Sequence, residues 1–233
     1  MQPSFFPALL GENKLSDIIL CMDIFAVNKP RNMTSHDVVN IIRKKTQVKR
    51  VGHGGTLDPL AEGVLVIAVG RENTKLLDKY VKGDKEYIAT LKLGYVSETD
   101  DSQGPITEFN KSIVPKRVEI EDILSNFQGE IMQTPPLYSS IKIKGKPAHR
   151  RVRKGQNIQL KPRKVFIKKT ELVSYDYPEL ELRIECGTGV YIRSIARDVG
   201  EKLKTGAYLT KLIRTRVGEF TVEDTLKIDE FRV

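Results

Sequence analysis

Asp58 is the residue whose type and setting point most directly to chemistry. It lies in the segment GHGGTLDPLAEGVL, with glycines before it, a proline directly after it and an apolar run beyond. The proline disfavours helical backbone at Asp58, and Asp-Pro taken alone is an ordinary turn former. The glycines, however, allow a ligand to approach closely. A carboxylate held on such a loop can serve as a nucleophile or as a general base.

Four further side chains are candidates for binding or catalysis. His53, between two glycines, is either a loop histidine or a ring presented to a ligand. Tyr87 is either a core aromatic or a ring on which a nucleobase stacks. Tyr191 and Arg193 open a helical segment two residues apart, so they point in different directions around its axis. Arg193 is either solvated or paired with a buried carboxylate, whose pKa it would lower.

A long basic stretch lies in the second half of the chain. No acidic residue occurs between Glu130 and Glu171, whereas twelve cations do. They are Lys142, Lys144, Lys146, Arg150, Arg151, Arg153, Lys154, Lys161, Arg163, Lys164, Lys168 and Lys169. Because such a surface repels itself, a polyanionic partner is favoured over a merely solvated face. Phosphate binding would release counterions, and the affinity would fall steeply with salt.

The composition supports a polyanionic partner and argues against other classes. The 233 residues carry 39 Lys and Arg against 30 Asp and Glu, a formal net charge of +9. Cys21 and Cys186 lie far apart and no Cys/His group has zinc spacing, so we expect neither a disulfide framework nor a metal site. The first 22 residues lack the pattern of a secretory or transit peptide, and no apolar run reaches membrane-spanning length. These features predict a cytoplasmic protein.

The predicted elements place Asp58 at the entrance to a packed core. We expect strands at 24–27, 64–69, 87–93, 165–167 and 180–186, and helices after a capping box at 34–37, near 118–127 and from 191. A glycine-rich loop is expected at 52–55. The run at 64–69 is apolar throughout, which is typical of a strand buried on both faces. Mixed strands and helices without a repeat or linker favour a single α+β domain.

Several motifs, in order along roughly 24–220, resemble the TruB family of tRNA pseudouridine synthases. They are NKPRNMTSHDVV, GHGGTLDPLAEGVLVIAVGRENTK, KEYIATLKLG, TDDSQG, FQGEIMQTPPLYSSIKIKGKPAH, GVYIRSIARDVG and LTKLIRTRVGEF. The resemblance implies the pseudouridine synthase fold, a central mixed and mostly antiparallel β-sheet with flanking helices and a basic thumb insertion at about 133–155. It also implies a catalytic domain at 23–233 after an N-terminal extension at 1–22, without the C-terminal RNA-binding (PUA) domain of many relatives.

The resemblance assigns roles to individual residues. It implies that Asp58 is the catalytic carboxylate, that Arg193 pairs with it, and that Tyr87 contacts the target base. The residues implied to bind the substrate RNA or to border its cleft are His53, Tyr191, Lys29, Lys142, Arg150, Arg151 and Arg153.

By this resemblance, the chain isomerises uridine to pseudouridine at position 55 in the T-loop of tRNA, without a cofactor or metal. The expected partner is the T-arm of tRNA; neither a membrane nor a protein partner is implied, and we expect a monomer. Two alternatives stay open: a guide-RNA-dependent, dyskerin-like synthase, and a tRNA-binding or folding module without catalysis. The QTPPLYSS segment and the expected lack of a C-terminal domain disfavour the first, and the set Asp58, Tyr87 and Arg193 disfavours the second.

Overall fold

The sheet that carries the candidate site is built around the apolar run after Asp58. The computed structural model describes residues 23–143 and 145–231. The predicted extension at 1–22, with Cys21, and the thumb residue Lys144 lie outside the described residues. Strand β3 (Glu62–Val69) is buried from Gly63 to Ala68, which confirms the prediction of a strand covered on both faces.

The other elements of the described residues follow the predicted order. The helices are α1 (Ser35–Thr46), α2 (Arg71–Tyr80), α3 (Arg117–Ser125), α4 (Ala148–Val152) and α5 (Ile192–Lys202). The strands before the thumb are β1 (Ile24–Lys29), β2 (Val51–Gly54), β4 (Lys85–Leu93), β5 (Tyr95–Ser97), β6 (Ile106–Glu108) and β7 (Gly129–Gln133). The later strands are β8 (Lys142–Ile143), β9 (Lys146–Pro147), β10 (Arg163–Asp176), β11 (Glu179–Cys186), β12 (Ala207–Val217), β13 (Phe220–Thr221) and β14 (Leu226–Lys227). Each predicted strand and helix is present, and β10 extends well beyond the predicted 165–167.

Ten strands form one mixed sheet. Its order is β14-β1-β3-β12-β4-β11-β10-β7, with β2 beside β3 and β13 beside β12. The pairs β1–β14 and β3–β12 are parallel, and the remaining pairs are antiparallel. This confirms the expected α+β fold with a central mixed, mostly antiparallel sheet.

One face of the sheet packs against α3 and α5. Along β4, Tyr87, Ala89, Leu91 and Leu93 are buried while the residues between them are partly exposed, as their alternation predicts. These four side chains share one apolar core with residues of α3 and α5. A second core lies between α1, β1 and β3, and a third packs the other face of β3 against Leu77 of α2 and Val217 of β12. Strand β3 is therefore covered on both sides.

The start of α1 is fixed by the predicted capping box. The Asp37 N–H donates to Thr34 Oγ1 at 3.1 Å, and the Thr34 N–H donates to the Asp37 carboxylate at 2.9 Å. Val38 and Ile42 face the second core. Because the cap sets where the helix begins, it also sets the position of Ser35, the first helical residue.

The prediction of a glycine-rich loop at 52–55 is wrong for most of its length. Residues Val51–Gly54 form β2 and pair with β3. This pairing outweighs the low strand propensity of glycine, and a side chain at Gly54 would lie 2.2 Å from Val81 Cγ1. Gly55, with a φ of +81°, ends the strand and opens the turn that carries Asp58.

Candidate active site

Asp58 lies on the turn between β2 and β3, against the beginning of α5. Its backbone carbonyl oxygen accepts a hydrogen bond from the Ala61 N–H at 3.0 Å, which closes the turn. Its carboxylate Oδ2 lies 2.9 Å from Arg193 Nε, and 36% of the Asp58 side chain is exposed against 6% of the Arg193 side chain. The carboxylate is therefore the accessible member of the ion pair, and the guanidinium contacts it from the buried side.

Arg193 connects three segments that are distant in sequence. Besides its contact with Asp58, its Nη1 donates to the Thr99 carbonyl oxygen and its Nη2 to the Tyr138 carbonyl oxygen, both at 3.1 Å. Nη1 also lies 3.4 Å from Asp101 Oδ2. Since two carbonyl oxygens accept hydrogen bonds from Nη1 and Nη2, the orientation of the planar group is fixed. Nε meets Asp58 through the ion-pair contact, without hydrogen-bond geometry.

Asp101 is a second carboxylate at the site, and the sequence reasoning did not assign it a role. Its side chain is 3% exposed, and its Oδ1 accepts hydrogen bonds from Thr99 Oγ1 at 2.6 Å and from the Gln103 N–H at 2.9 Å. The acidic turn was visible in TDDSQG, but nothing in its spacing linked it to Arg193. Arg193 thus lies between one accessible and one buried carboxylate.

The electrostatics of Asp58 differ from the prediction. Burial raises the pKa of the Asp58 carboxyl, and the neighbouring Arg193 opposes that rise without cancelling it. The expected lowering by Arg193 is therefore present as a contribution, but the predicted net direction is wrong because desolvation dominates. A carboxylate whose pKa is raised is a stronger base when ionised, which suits either role considered for Asp58.

Tyr87 lies in the core beside the site. Its side chain is 7% exposed and packs in the same apolar cluster as Leu57 and Leu60, which flank Asp58 in sequence. Burial raises the pKa of the Tyr87 hydroxyl, the Arg214 charge opposes the rise, and the Asp58 charge adds to it. Tyr87 is thus a core aromatic that is also within electrostatic reach of the catalytic candidate.

Lys29 does not lie on a surface, in contrast to the expected RNA-contacting role. Its side chain is fully buried, and Nζ donates to the carbonyl oxygens of Pro30 at 2.9 Å, Met33 at 2.6 Å and Pro59 at 3.4 Å. Burial lowers the pKa of Lys29 to about 8. Because Pro59 directly follows Asp58, Lys29 supports the turn that carries Asp58, and its burial does not fit a direct contact with RNA.

His53 and Tyr191 lie on elements that border the Asp58 turn. His53 belongs to β2 and is partly buried, and its Nδ1 has no hydrogen-bond partner within the part of the chain that is described. Burial lowers its pKa, and Arg214 adds to the effect. Tyr191 precedes α5, and its backbone bonds to the side-chain amide of Gln133. The Tyr191 N–H donates to Gln133 Oε1 at 2.9 Å, and Gln133 Nε2 donates to the Tyr191 carbonyl oxygen at 3.1 Å. The Arg163 guanidinium lies over its ring, 5.1 Å from the centroid.

The thumb carries the predicted cations on a small folded unit. It consists of the β8–β9 hairpin and helix α4, and its base is joined to α5 because Ser194 Oγ and Arg197 Nη2 donate to the Thr134 carbonyl oxygen at 2.8 and 2.9 Å. Four predicted RNA-binding residues belong to it. Lys142, Arg150 and Arg153 are exposed, and Arg151 is partly buried with a hydrogen bond to Gln156. The base of the thumb is therefore joined to α5, the helix that supplies Arg193, while the cations themselves lie on β8 and on or just after α4.

Across 23–143 and 145–231, no group of three or more His, Cys, Asp and Glu side chains could hold a metal ion. In the same ranges, no helix is both long and apolar enough to cross a bilayer. Cys186 is a buried free thiol, and burial raises its pKa to about 12. The chemistry available at the site is that of a carboxylate with an arginine, a tyrosine and nearby cations.

Two solved structures share this architecture. The crystal structure of a Cbf5-Nop10-Gar1 complex matches with a TM-score of 0.70 and 28% identity, covering 94% of this chain and 57% of the chain it matches. A structure of an H/ACA RNP bound to a substrate RNA containing 2'-deoxyuridine matches with a TM-score of 0.65 and 26% identity, covering 88% of this chain and 51% of the chain it matches. The chain therefore has the pseudouridine synthase fold.

Sequence comparison identifies the family. Residues 43–192 match the model described as TruB family pseudouridylate synthase (N terminal domain). The chain is 46% identical over 203 residues to tRNA pseudouridine synthase B of Protochlamydia amoebophila, covering 87% of this chain and 77% of that protein. It is 42% identical to tRNA pseudouridine synthase B of Phocaeicola vulgatus, covering 90% of this chain and 91% of that protein. It is 44% identical to tRNA pseudouridine synthase B of Prochlorococcus marinus (strain NATL2A), and it spans 65% of that protein. The chain belongs to the TruB family of pseudouridylate synthases, as its motifs predicted.

Proposed function

We propose that this protein isomerises uridine to pseudouridine at position 55 in the T-loop of tRNA. The observation that carries the proposal is the ion pair between the accessible Asp58 carboxylate and the buried Arg193, 2.9 Å apart. It lies in a chain whose relatives are named tRNA pseudouridine synthase B. The family supports the reaction type, and the geometry supports Asp58 as the reacting group.

The chemistry requires few groups. The bond between uracil N1 and ribose C1′ breaks and C5 joins C1′, while the proton that leaves C5 is balanced by one taken up at N1, so no redox partner or cofactor is consumed. The target uridine must leave its stack, at a cost of a few kcal/mol, to reach Asp58. Asp58 acts at the sugar as a nucleophile or at the base as a proton acceptor. Arg193 keeps the carboxylate aimed, and Tyr87 lies against the base.

The thumb supports tRNA as the substrate. Three of its four predicted contacts, Lys142, Arg150 and Arg153, have exposed side chains, and cations at this density bind phosphates with release of counterions. We expect the catalytic domain at 23–233 to act on the T-arm as a cytoplasmic monomer without cofactor. The expected lack of a C-terminal RNA-binding domain stays a prediction.

Purified protein and unmodified tRNA transcripts test the proposal. Pseudouridine is mapped by carbodiimide adducts and primer extension after incubation without any guide RNA. We expect a stop that reports position 55, and its absence when the transcript carries cytidine at that position.

Other outcomes distinguish the alternatives. Product that forms only after a guide RNA is added would favour the dyskerin-like branch. Binding of tRNA without product under any of these conditions would leave the non-catalytic module and overturn the proposal.

A further inference from the structure

The turn that carries Asp58 is held through its backbone at alternate residues. At its start, Arg214 Nη2 donates to the Gly55 carbonyl oxygen at 3.1 Å. At its end, the Pro59 carbonyl oxygen accepts from the Asn32 N–H at 2.7 Å and from Lys29 Nζ at 3.4 Å. These contacts fix the two ends of the turn, and the Ala61 N–H holds the carbonyl oxygen of Asp58, which leaves the peptide unit before Asp58.

Ser35 fixes the middle of the same turn. Its Oγ accepts a hydrogen bond from the Leu57 N–H at 2.9 Å and lies 3.2 Å from the Leu57 carbonyl oxygen, to which it donates. Ser35 is 2% exposed and Leu57 is 4% exposed, so water does not compete for these bonds. A single hydroxyl therefore satisfies the donor and the acceptor of the residue directly before Asp58.

These two bonds bear on the direction of the carboxylate. The Leu57 carbonyl belongs to the planar peptide unit that joins Leu57 to Asp58. A fixed orientation of this plane limits the backbone rotation that would move the Asp58 side chain relative to Arg193. Ser35 itself is fixed because it is the first residue of α1, behind the Thr34 cap.

We infer that Ser35 is a positioning residue for Asp58, which acts through the Leu57 peptide and does not touch the substrate. The inference rests on the proposed function, since it concerns the rate of the same reaction. Displacement of a reacting group by about 1 Å can cost on the order of 100-fold in rate. Loss of the Ser35 hydroxyl should therefore slow the chemical step and leave tRNA binding, which the thumb provides, unchanged.

The test compares variants under single-turnover conditions, with enzyme in excess over unmodified tRNA. Ser35→Ala should lower the rate of pseudouridine formation by about 10–100-fold, with an unchanged Kd for tRNA in filter binding. Ser35→Cys replaces the hydroxyl by a larger thiol that bonds weakly, so its rate should lie between those of wild type and Ser35→Ala. The matched control is Thr170→Val, which removes a buried hydroxyl of β10 that is bonded at 2.9 Å to the Leu124 carbonyl oxygen of α3.

Urea unfolding of each variant separates positioning from stability. Thr170→Val should lose stability without losing rate. The inference is overturned if fully folded Ser35→Ala or Ser35→Cys keeps the wild-type rate, or if Thr170→Val slows the reaction equally. If Ser35→Ala does not fold, the rate of Ser35→Cys decides. A wild-type protein without product would instead refute the proposed function, so the two failures are distinguishable.

Discussion

Removal of the Arg193 guanidinium should destabilise the fold as well as the reaction. In Arg193→Met, the Asp101 carboxylate, 3% exposed, keeps its burial and loses its cation. Stranding one member of a buried ion pair costs about 3–5 kcal/mol, a large share of the roughly 5–15 kcal/mol that holds a domain folded. The carbonyl oxygens of Thr99 and Tyr138 also lose their donors, which places the expected loss at the upper end of that range.

Urea unfolding in a double-mutant cycle measures this effect. Because Asp101→Asn removes the stranded charge, the double variant should be more stable than the sum of the single losses by about 2 kcal/mol. The control is Arg216→Met, whose ion pair with Glu185 is more exposed and should lose less than about 1 kcal/mol. Strictly additive losses, or a loss in Arg193→Met no larger than in the control, would refute the reasoning.

Two further predictions concern Lys29 and the thumb. Burial lowers the pKa of Lys29 in the folded protein to about 8, from an ordinary value of 10.5. The unfolded chain therefore binds more protons between these two values, and stability rises with pH across this window. Between pH 7.5 and 9.5, wild type should gain about 1–2 kcal/mol relative to Lys29→Met in urea unfolding; parallel curves would count against the buried ammonium. In the thumb, Arg150→Glu should weaken tRNA binding in a filter-binding assay and lower the slope of log K against log salt concentration by about 1. The control Lys169→Glu, outside the thumb, should change this slope less. Equal changes of slope in the two variants would exclude a thumb-specific contact.

Local patterns predicted most of the fold. The apolar run of β3 and the alternation of β4 reflect burial that each strand experiences along its own length, so both could be read from the sequence. The capping box before α1 is likewise local. The 52–55 segment was misassigned because its glycines favour a loop locally, whereas its strand conformation depends on pairing with β3, a contact that local reasoning does not contain.

The site was predictable only in part. The motifs singled out Asp58 and Arg193, and the structure places them 2.9 Å apart. The roles of Asp101, Ser35 and Lys29 depend on which distant backbone and charged groups approach them in three dimensions. Their spacing in the sequence carries no signal for those contacts, and the net pKa of Asp58 likewise depends on burial that only the packed structure defines.

Asp58 is proposed to perform the isomerisation, and the isosteric variant Asp58→Asn tests this role most directly. Wild type and variant are incubated with the same unmodified tRNA, product at position 55 is mapped by carbodiimide adducts and primer extension, and tRNA binding is measured alongside. We predict that Asp58→Asn binds tRNA as tightly as wild type and forms no pseudouridine. Conversion of position 55 by Asp58→Asn at the wild-type rate would contradict the assignment of Asp58 as the catalytic carboxylate.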